Sequence, residues 1–246
     1  MATLLLRLSA PLQSWGDESK YNIRQTRREP SKSGVIGLLA AALGLKRDSQ
    51  EITELSRQLR MGVRIDCPGQ VIRDFHTARP PKYTGKGEVR HNPDGSVMMA
   101  DAPEVTERYY LCDACFLVGM ESSDEALLRR LAEALSSPCF PLYLGRRACP
   151  PTMPLLLGIR PIPLAEALRA EPWQASEWIR HRNVLARLRM ILETAPGEIP
   201  VHTLRDAPVS FSPIHRRYTR RGLEREQTVL LADDEHDPMT ELRNQV

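Results

Sequence analysis

Residues Thr3 to Leu8 form a nearly continuous apolar run that ends in a turn region holding Pro11 and Gly16, and the pattern predicts a first strand. Gln13-Ser14-Trp15-Gly16 follows as a loop. Val35, Ile36, Leu38, Leu39 and Leu43, together with three alanines, predict a helix that is apolar on most sides and hence buried, with Gly44 at its stop. From about Ser49 to Arg60, Ile52, Leu55 and Leu59 share one face of a second helix. Val63 to Asp66 alternates as a strand does, and Val71 to Phe75 continues it or pairs with it. Between His76 and Glu107 prolines and glycines replace any lasting apolar period. Asn92-Pro93-Asp94-Gly95 marks a turn there, and the segment reads as a projecting arm. Tyr109 to Met120 is the longest strand candidate, and Asp124 to Leu135 predicts a helix with Leu127, Leu128, Leu131 and Leu135 as its buried stripe. Leu155 to Ile159 reads as a further strand.

The order β-α-(α)-β-β-α-β is the ferredoxin-like arrangement that RNA-recognition sheets use. The expected fold is therefore α+β: a ferredoxin-like, RRM-type unit over residues 1–160 with the arm inserted at about 77–107, and a smaller C-terminal region, 161–246, that is partly strand. In that last part Trp173 to Glu193 fits a helix or a strand equally, because Leu188, Met190 and Leu192 alternate as well as they repeat. Val209 to Phe211 and Val229 to Leu231 read as short strands.

The composition, 41% hydrophobic in 246 residues, suffices for a substantial core. The Thr3-Leu4-Leu5-Leu6 run is too short for a secretory signal and is broken by Arg7, and no stretch approaches a membrane span, so a cytoplasmic protein with no membrane partner is expected. Five cysteines at 67, 112, 115, 139 and 149 point to reduced thiols. Cys112 and Cys115 form a CxxC inside a strand-like run rather than a knuckle turn, with no second CxxC or His pair, so no metal is expected.

Net charge is only +3, yet it is unevenly spread. Residues 20–32 carry Lys20, Arg24, Arg27, Arg28 and Lys32 against Glu29, and residues 215–225 carry Arg216, Arg217, Arg220, Arg221 and Arg225 against Glu224. Asp233, Asp234, Glu235 and Asp237 supply acid near the C-terminal end. Concentrated basic patches on an otherwise mildly acidic chain suit a docked polyanion. The first patch opens a helix, whose N-terminus normally attracts acids. Free backbone N–H groups, the hydroxyls of Ser31 and Ser33, and the guanidinium groups of Arg27 and Arg28 predict a phosphate seat there; a plain Ser cap with solvated arginines is the alternative. Lys32-Ser33 resembles the end of a P-loop, but Thr26 and Ser31 stand where its glycines belong, which removes NTP.

Metal-independent RNA cleavage needs a His with a Lys or Tyr in hydrogen-bond reach, and His76 with Lys82, Tyr83 or Tyr109 offers those types. No carboxylate pair, Ser-His-Asp order or HExxH is present to support other hydrolysis. Tyr109, Tyr110, Trp15 and Phe75 are possible stacking platforms in a chain that is 5% aromatic.

LLLRLSAPLQSWG, TRREPSKSGVIGLLAAALGLKRD, DFHT, TERYYLCDACFLVG and PLYLGRRACPP, in this order, resemble the CasD family, the RAMP subunit of type I-E CRISPR Cascade, over residues 3 to about 158. The resemblance implies a ferredoxin-like RAMP palm with a protruding thumb, the arm at 77–107, in a non-catalytic subunit with no cofactor that holds the 5′ handle of the crRNA. Its implied partners are the backbone subunit CasC and the large subunit CasA, with target DNA met at most through the complex. It assigns handle contacts to Arg27, Arg28, Ser31, Lys32, Ser33, Arg108, Arg146 and Arg147. Arg24, His76 and Tyr109 join them as candidate RNA contacts, and Arg216 and Arg217 follow from charge alone. Relatives in type I-C systems cleave RNA through Tyr, Lys and His, so a metal-independent endoribonuclease is the alternative function.

Overall fold

The computed structural model describes residues 1–16, 22–47, 49–182, 185–212 and 216–232. Lys20 and the acidic cluster at Asp233 to Asp237 lie outside them. Strand β1 (Ala2–Ser9) is continuous in sequence because both its faces are covered. Leu4, Leu6 and Leu8 enter the main core with Val35, Leu39, Phe116 and Leu131, while Leu5 enters a second core with Leu117, Leu164 and Leu168. Four two-residue strands follow: β2 (Leu12–Gln13), β3 (Trp15–Gly16), β4 (Ile23–Arg24) and β5 (Thr26–Arg27). Helix α1 (Lys32–Ala42) is capped by Ser31, whose hydroxyl accepts from the Gly34 N–H at 3.2 Å, and α2 (Glu51–Gln58) packs beside it.

The next four strands make one bent ribbon. β6 (Arg60–Cys67) runs into β7 (Gln70–Ala78), and β8 (Glu104–Cys112) returns into β9 (Cys115–Ser122). Cys67 pairs with Cys115 below the bend and Gln70 with Cys112 above it. The bend falls at Pro68-Gly69 and Asp113-Ala114. A Cβ at Gly69, where φ is +65°, would meet the Cys112 carbonyl oxygen at 2.4 Å, and Asp113 has φ 54°. The expected single strand from Tyr109 to Met120 is thus corrected to two strands in different sheets. Its apolar run continues through the bend because each half is buried by its own neighbours. The CxxC likewise flanks a bend: Cys115 is buried, which pushes its thiol up to about 12, and Cys112 donates to Asp113 at 3.3 Å. Among the described residues no group of His, Cys, Asp and Glu could hold a metal ion.

Beyond α3 (Glu125–Ser136), capped by Asp124, come β10 (Leu156–Arg160), α4 (Leu164–Ala170), α5 (Glu177–Arg182), β11 (Leu185–Leu192), β12 (His202–Ser210), β13 (Arg217–Leu223) and β14 (Gln227–Ala232). Trp173 to Glu193 is therefore helix first and strand afterwards, which explains its double signal. The main antiparallel sheet has the order β10-β1-β9-β6-β11-β14, so the C-terminal segment adds two strands to the sheet that β1 begins. Arg64, fully buried on β6, ties α4 to the sheet. It grips Asp66 at 2.7 and 2.8 Å and donates to the carbonyls of Leu168 in α4 and of Glu171 and Pro172 just after it.

The arm is ordered without an apolar period because its backbone closes on itself. Lys82 N–H donates to Met98 O, Met98 N–H to Arg90 O and Arg90 N–H to Lys82 O, at 2.8, 2.9 and 2.8 Å. Thr84 to Gly87 and Asn92 to Gly95 supply the turns between these three short stretches.

Candidate nucleic-acid interface

The start of α1 does not have the open N-terminus that its sequence suggests. The Lys32 N–H donates to the Asp206 carboxylate at 2.9 Å, and the Lys32 ammonium, 4% exposed, reaches both oxygens of Glu193 at 2.7 and 2.9 Å. Asp206 also accepts two bonds from buried Arg221, at 2.6 and 3.0 Å, and Glu193 accepts the Met61 N–H at 3.0 Å. Of the phosphate seat expected at Arg27, Arg28, Ser31, Lys32 and Ser33, the backbone N–H and the ammonium of Lys32 are therefore taken by the protein's own carboxylates. Helix polarity and the buried cations are satisfied from within. Ser31 is spent on its cap, with Ser33 3.3 Å from it. Burial lowers the Lys32 ammonium below the usual lysine range, and Glu193 opposes that shift.

At the base of the arm positive charge stays unspent. Alternation along β8 puts Arg108 and Tyr110 on one face and Tyr109 on the other. β4 lays Arg24 beside Arg108. The Leu144-Gly145-Arg146 turn closes on the Gln13-Ser14-Trp15 loop through a Ser14 N–H to Leu144 O bond of 3.1 Å. A Cβ at Gly145, where φ is +87°, would overlap the Ser14 carbonyl. This contact holds the Arg146 guanidinium 4.6 Å over the Tyr110 ring, with one nitrogen donating to Arg24 O at 2.9 Å. The other terminal nitrogen, buried, has no hydrogen-bond partner. Among the described residues Arg24, Arg108 and Arg146 form no salt bridge.

The remaining candidates are dispersed. His76, opposite Thr106, lies on the Arg108 face with its Nε2 2.8 Å from the Asp74 carboxylate but not in hydrogen-bonding geometry. Tyr109 lies on the reverse face, its hydroxyl 3.5 Å from Glu107, and Lys82 pairs with Asp101 at 2.8 Å. Since Thr106 and Tyr109 are three residues apart on one strand, His76 and Tyr109 are separated along it by about 10 Å as well as by the sheet. Arg27 donates to the Arg205 carbonyl at 3.5 Å. Arg28, Arg147, Arg216 and Arg217 are exposed. Sequence reading missed Glu193 and Asp206, whose effect on Lys32 depends on pairing across 161 and 174 residues. It named Tyr110 only as a possible platform for bases, whereas its ring carries Arg146.

The chain is a mixed α/β protein with an antiparallel main sheet, an arm between β7 and β8, and three arginines at the arm's base that form no salt bridge among the described residues. Residues 3–223 match the family described as CRISPR-associated protein (Cas_Cas5), and the chain belongs to that family. It is 35% identical over 166 residues to the CRISPR system Cascade subunit CasD of Escherichia coli (strain K12), covering 63% of this chain and 70% of that protein. A solved chain described as "CRISPR RNA-guided surveillance complex" superposes with a TM-score of 0.72 at 32% identity over 98% of both chains. Another, described as "Crystal structure of Cas protein", has a TM-score of 0.64 at 36% identity over 92% of this chain and 94% of its own.

Proposed function

We propose that the chain is a non-catalytic Cascade subunit that binds and caps the 5′ handle of the crRNA, with backbone subunit CasC and large subunit CasA as protein partners, in the cytoplasm. The observation that carries this reading is the Arg24, Arg108 and Arg146 cluster. Three guanidinium groups that form no salt bridge, even though Asp74 stands across the ladder from Arg108, and one of which has a buried and unpartnered nitrogen, suit phosphate oxygens. Likeness to a Cascade subunit and to a chain of a surveillance complex supports guide RNA as the source of those phosphates. Residues 1–160 act as a ferredoxin-like palm, a reading supported by the β10-β1-β9-β6 order with helices after β1 and β9. Residues 77–107 act as its thumb and 161–246 as a C-terminal region that buttresses the palm.

Labelled handle RNA tests this. The parent chain binds it with an affinity that falls as salt rises, and Arg108→Gln with Arg146→Gln weakens binding without lowering the thermal midpoint. Equal affinity of parent and variant overturns the reading. The endoribonuclease alternative lacks a convergent site, because His76 and Tyr109 lie on opposite faces of the ribbon. Metal-independent cutting of repeat RNA that is lost in His76→Ala would reinstate it.

A further inference from the structure

A cleft of about 360 Å³ opens at the bend of the ribbon, between Pro68 to Val71, Ile65 of β6 and the Arg28-Glu29 segment that leads into α1. Register puts Val71 opposite Leu111, so the cleft lies on the face of the β7–β8 ladder that carries Tyr109 and not on the Arg108 face. Its floor is apolar. Ile65 and Leu111 are buried and line it, and Val71 is left 45% exposed.

The polar groups of the cleft divide into two sets. Arg189 donates to Glu226 at 2.8 Å and stands 3.8 Å from Glu29. Arg28 and Gln70 are exposed, and neither side chain forms a hydrogen bond or a salt bridge among the described residues. Arg28 precedes the closed start of α1, out of reach of Glu193 and Asp206. With Arg28 and Arg189 balanced by Glu29 and Glu226, the cleft has no net charge with which to select an anion. An apolar floor rimmed by a guanidinium donor and by a primary amide that both donates and accepts suits a neutral, planar group with a hydrogen-bonding edge. The chain itself links this cleft to the base of the arm. Arg24 stands in the thumb-base cluster, and Arg28, four residues further on, is no more than about 14 Å of extended chain away. A strand held at the thumb base is therefore within reach of the cleft.

We infer that the cleft takes one unstacked nucleobase of the RNA whose phosphates bind at the thumb base, its face on Val71, Ile65 and Leu111 and its edge on Arg28 and Gln70. The inference rests on the proposed function for the source of that base. Single-stranded RNA is read in this manner, by splayed bases whose edges are hydrogen-bonded.

The test uses the full-length chain and a series of fluorescent RNAs carrying handle and guide, each with one abasic site that removes a base and keeps its phosphate. One position in the series lowers affinity for the parent chain about tenfold, the scale of a lost charged hydrogen bond. Arg28→Ala with Gln70→Ala lowers affinity for the intact RNA by a similar factor, and in that variant the abasic site at the same position costs nothing further. Its dependence of log affinity on log salt keeps the parent's slope, because no phosphate contact is lost. A slope shallower by about 0.7 would assign a phosphate to Arg28 and overturn the inference. Abasic penalties that persist unchanged in the variant overturn it too. So does unchanged affinity for the intact RNA, and if the variant then fails to copurify with its partner subunits, the cleft is a protein contact. Both replaced side chains are exposed and make no contact of their own, so the thermal midpoint stays at the parent value and unfolding does not mimic lost binding. Arg108→Gln with Arg146→Gln, run in parallel, reports on the proposed function alone: if that variant binds the RNA normally, the primary reading fails whatever the abasic series shows at the cleft.

Discussion

The entrance of α1 and the base of the arm look alike as strings of basic residues, and the fold treats them in opposite ways. At the entrance Glu193 and Asp206 arrive from β11 and β12 and turn Lys32 and Arg221 into buried structural ions. At the arm Arg24, Arg108 and Arg146 gather from separate segments and lean on an aromatic ring, a carbonyl and the Thr106 hydroxyl, while Asp74, across the ladder from Arg108, forms no salt bridge with it. The proposed binding surface is thus the place where positive charge is not neutralised by an ion pair. Density of Lys and Arg along the chain does not separate the two cases.

The largest effect expected from this contrast is on stability. Glu193→Ala leaves Lys32 buried without its partner and lowers unfolding free energy by about 3–5 kcal/mol in urea titrations. Lys32→Met, which strands Glu193 instead, is also destabilising, yet its folded fraction binds handle RNA as the parent does. Reduced RNA affinity per folded molecule in that variant would break the contrast. Next comes the arm. Arg108→Gln with Arg146→Gln weakens handle binding by about 10- to 100-fold in fluorescence anisotropy, from two charged contacts at about 1.5 kcal/mol or less apiece, and leaves the urea midpoint where it was.

The smallest effect belongs to an exposed ion pair. Arg189 holds the Glu226 carboxyl below its ordinary value of 4.5, through two hydrogen bonds of 2.8 Å. With the folded value depressed, the pair's contribution is present above the ordinary value and is lost as pH falls through the depressed one. Both side chains are about half exposed, so Glu226→Gln costs less than about 1 kcal/mol at neutral pH, and the deficit vanishes in acid. A deficit as large as that of Glu193→Ala would erase the distinction between buried and exposed pairs.

Much of the architecture up to β10 was legible in the chain. The apolar run of β1, the helix stripe of α3 and the order of elements up to β10 follow from period and punctuation. The bend at Asp113 was not, because Leu111 and Ala114 to Val118 are buried on its two sides and a single acidic residue does not by itself end an apolar run. The C-terminal segment was legible in fragments only. Leu188, Met190 and Leu192 alternate as β11 requires, but β13 is made of Arg217 to Leu223, mostly charged, and is set by pairing with β12 rather than by a pattern of its own. At the site, Arg108 and Arg146 came from motif resemblance, and their convergence on Tyr110 is a product of the Gly145 turn against Ser14. The closure of the helix entrance was invisible because its carboxylates are so distant in sequence.

In the proposed function handle RNA meets the protein at the base of the arm and not at the α1 entrance. Photocross-linking of handle RNA carrying 4-thiouridine, followed by peptide mapping, decides between the two. Adducts are expected in the segments around Arg24, Arg108 to Tyr110 and Arg146. Adducts concentrated at Ser31 to Ser33, with the arm's base unmarked, would contradict that reading.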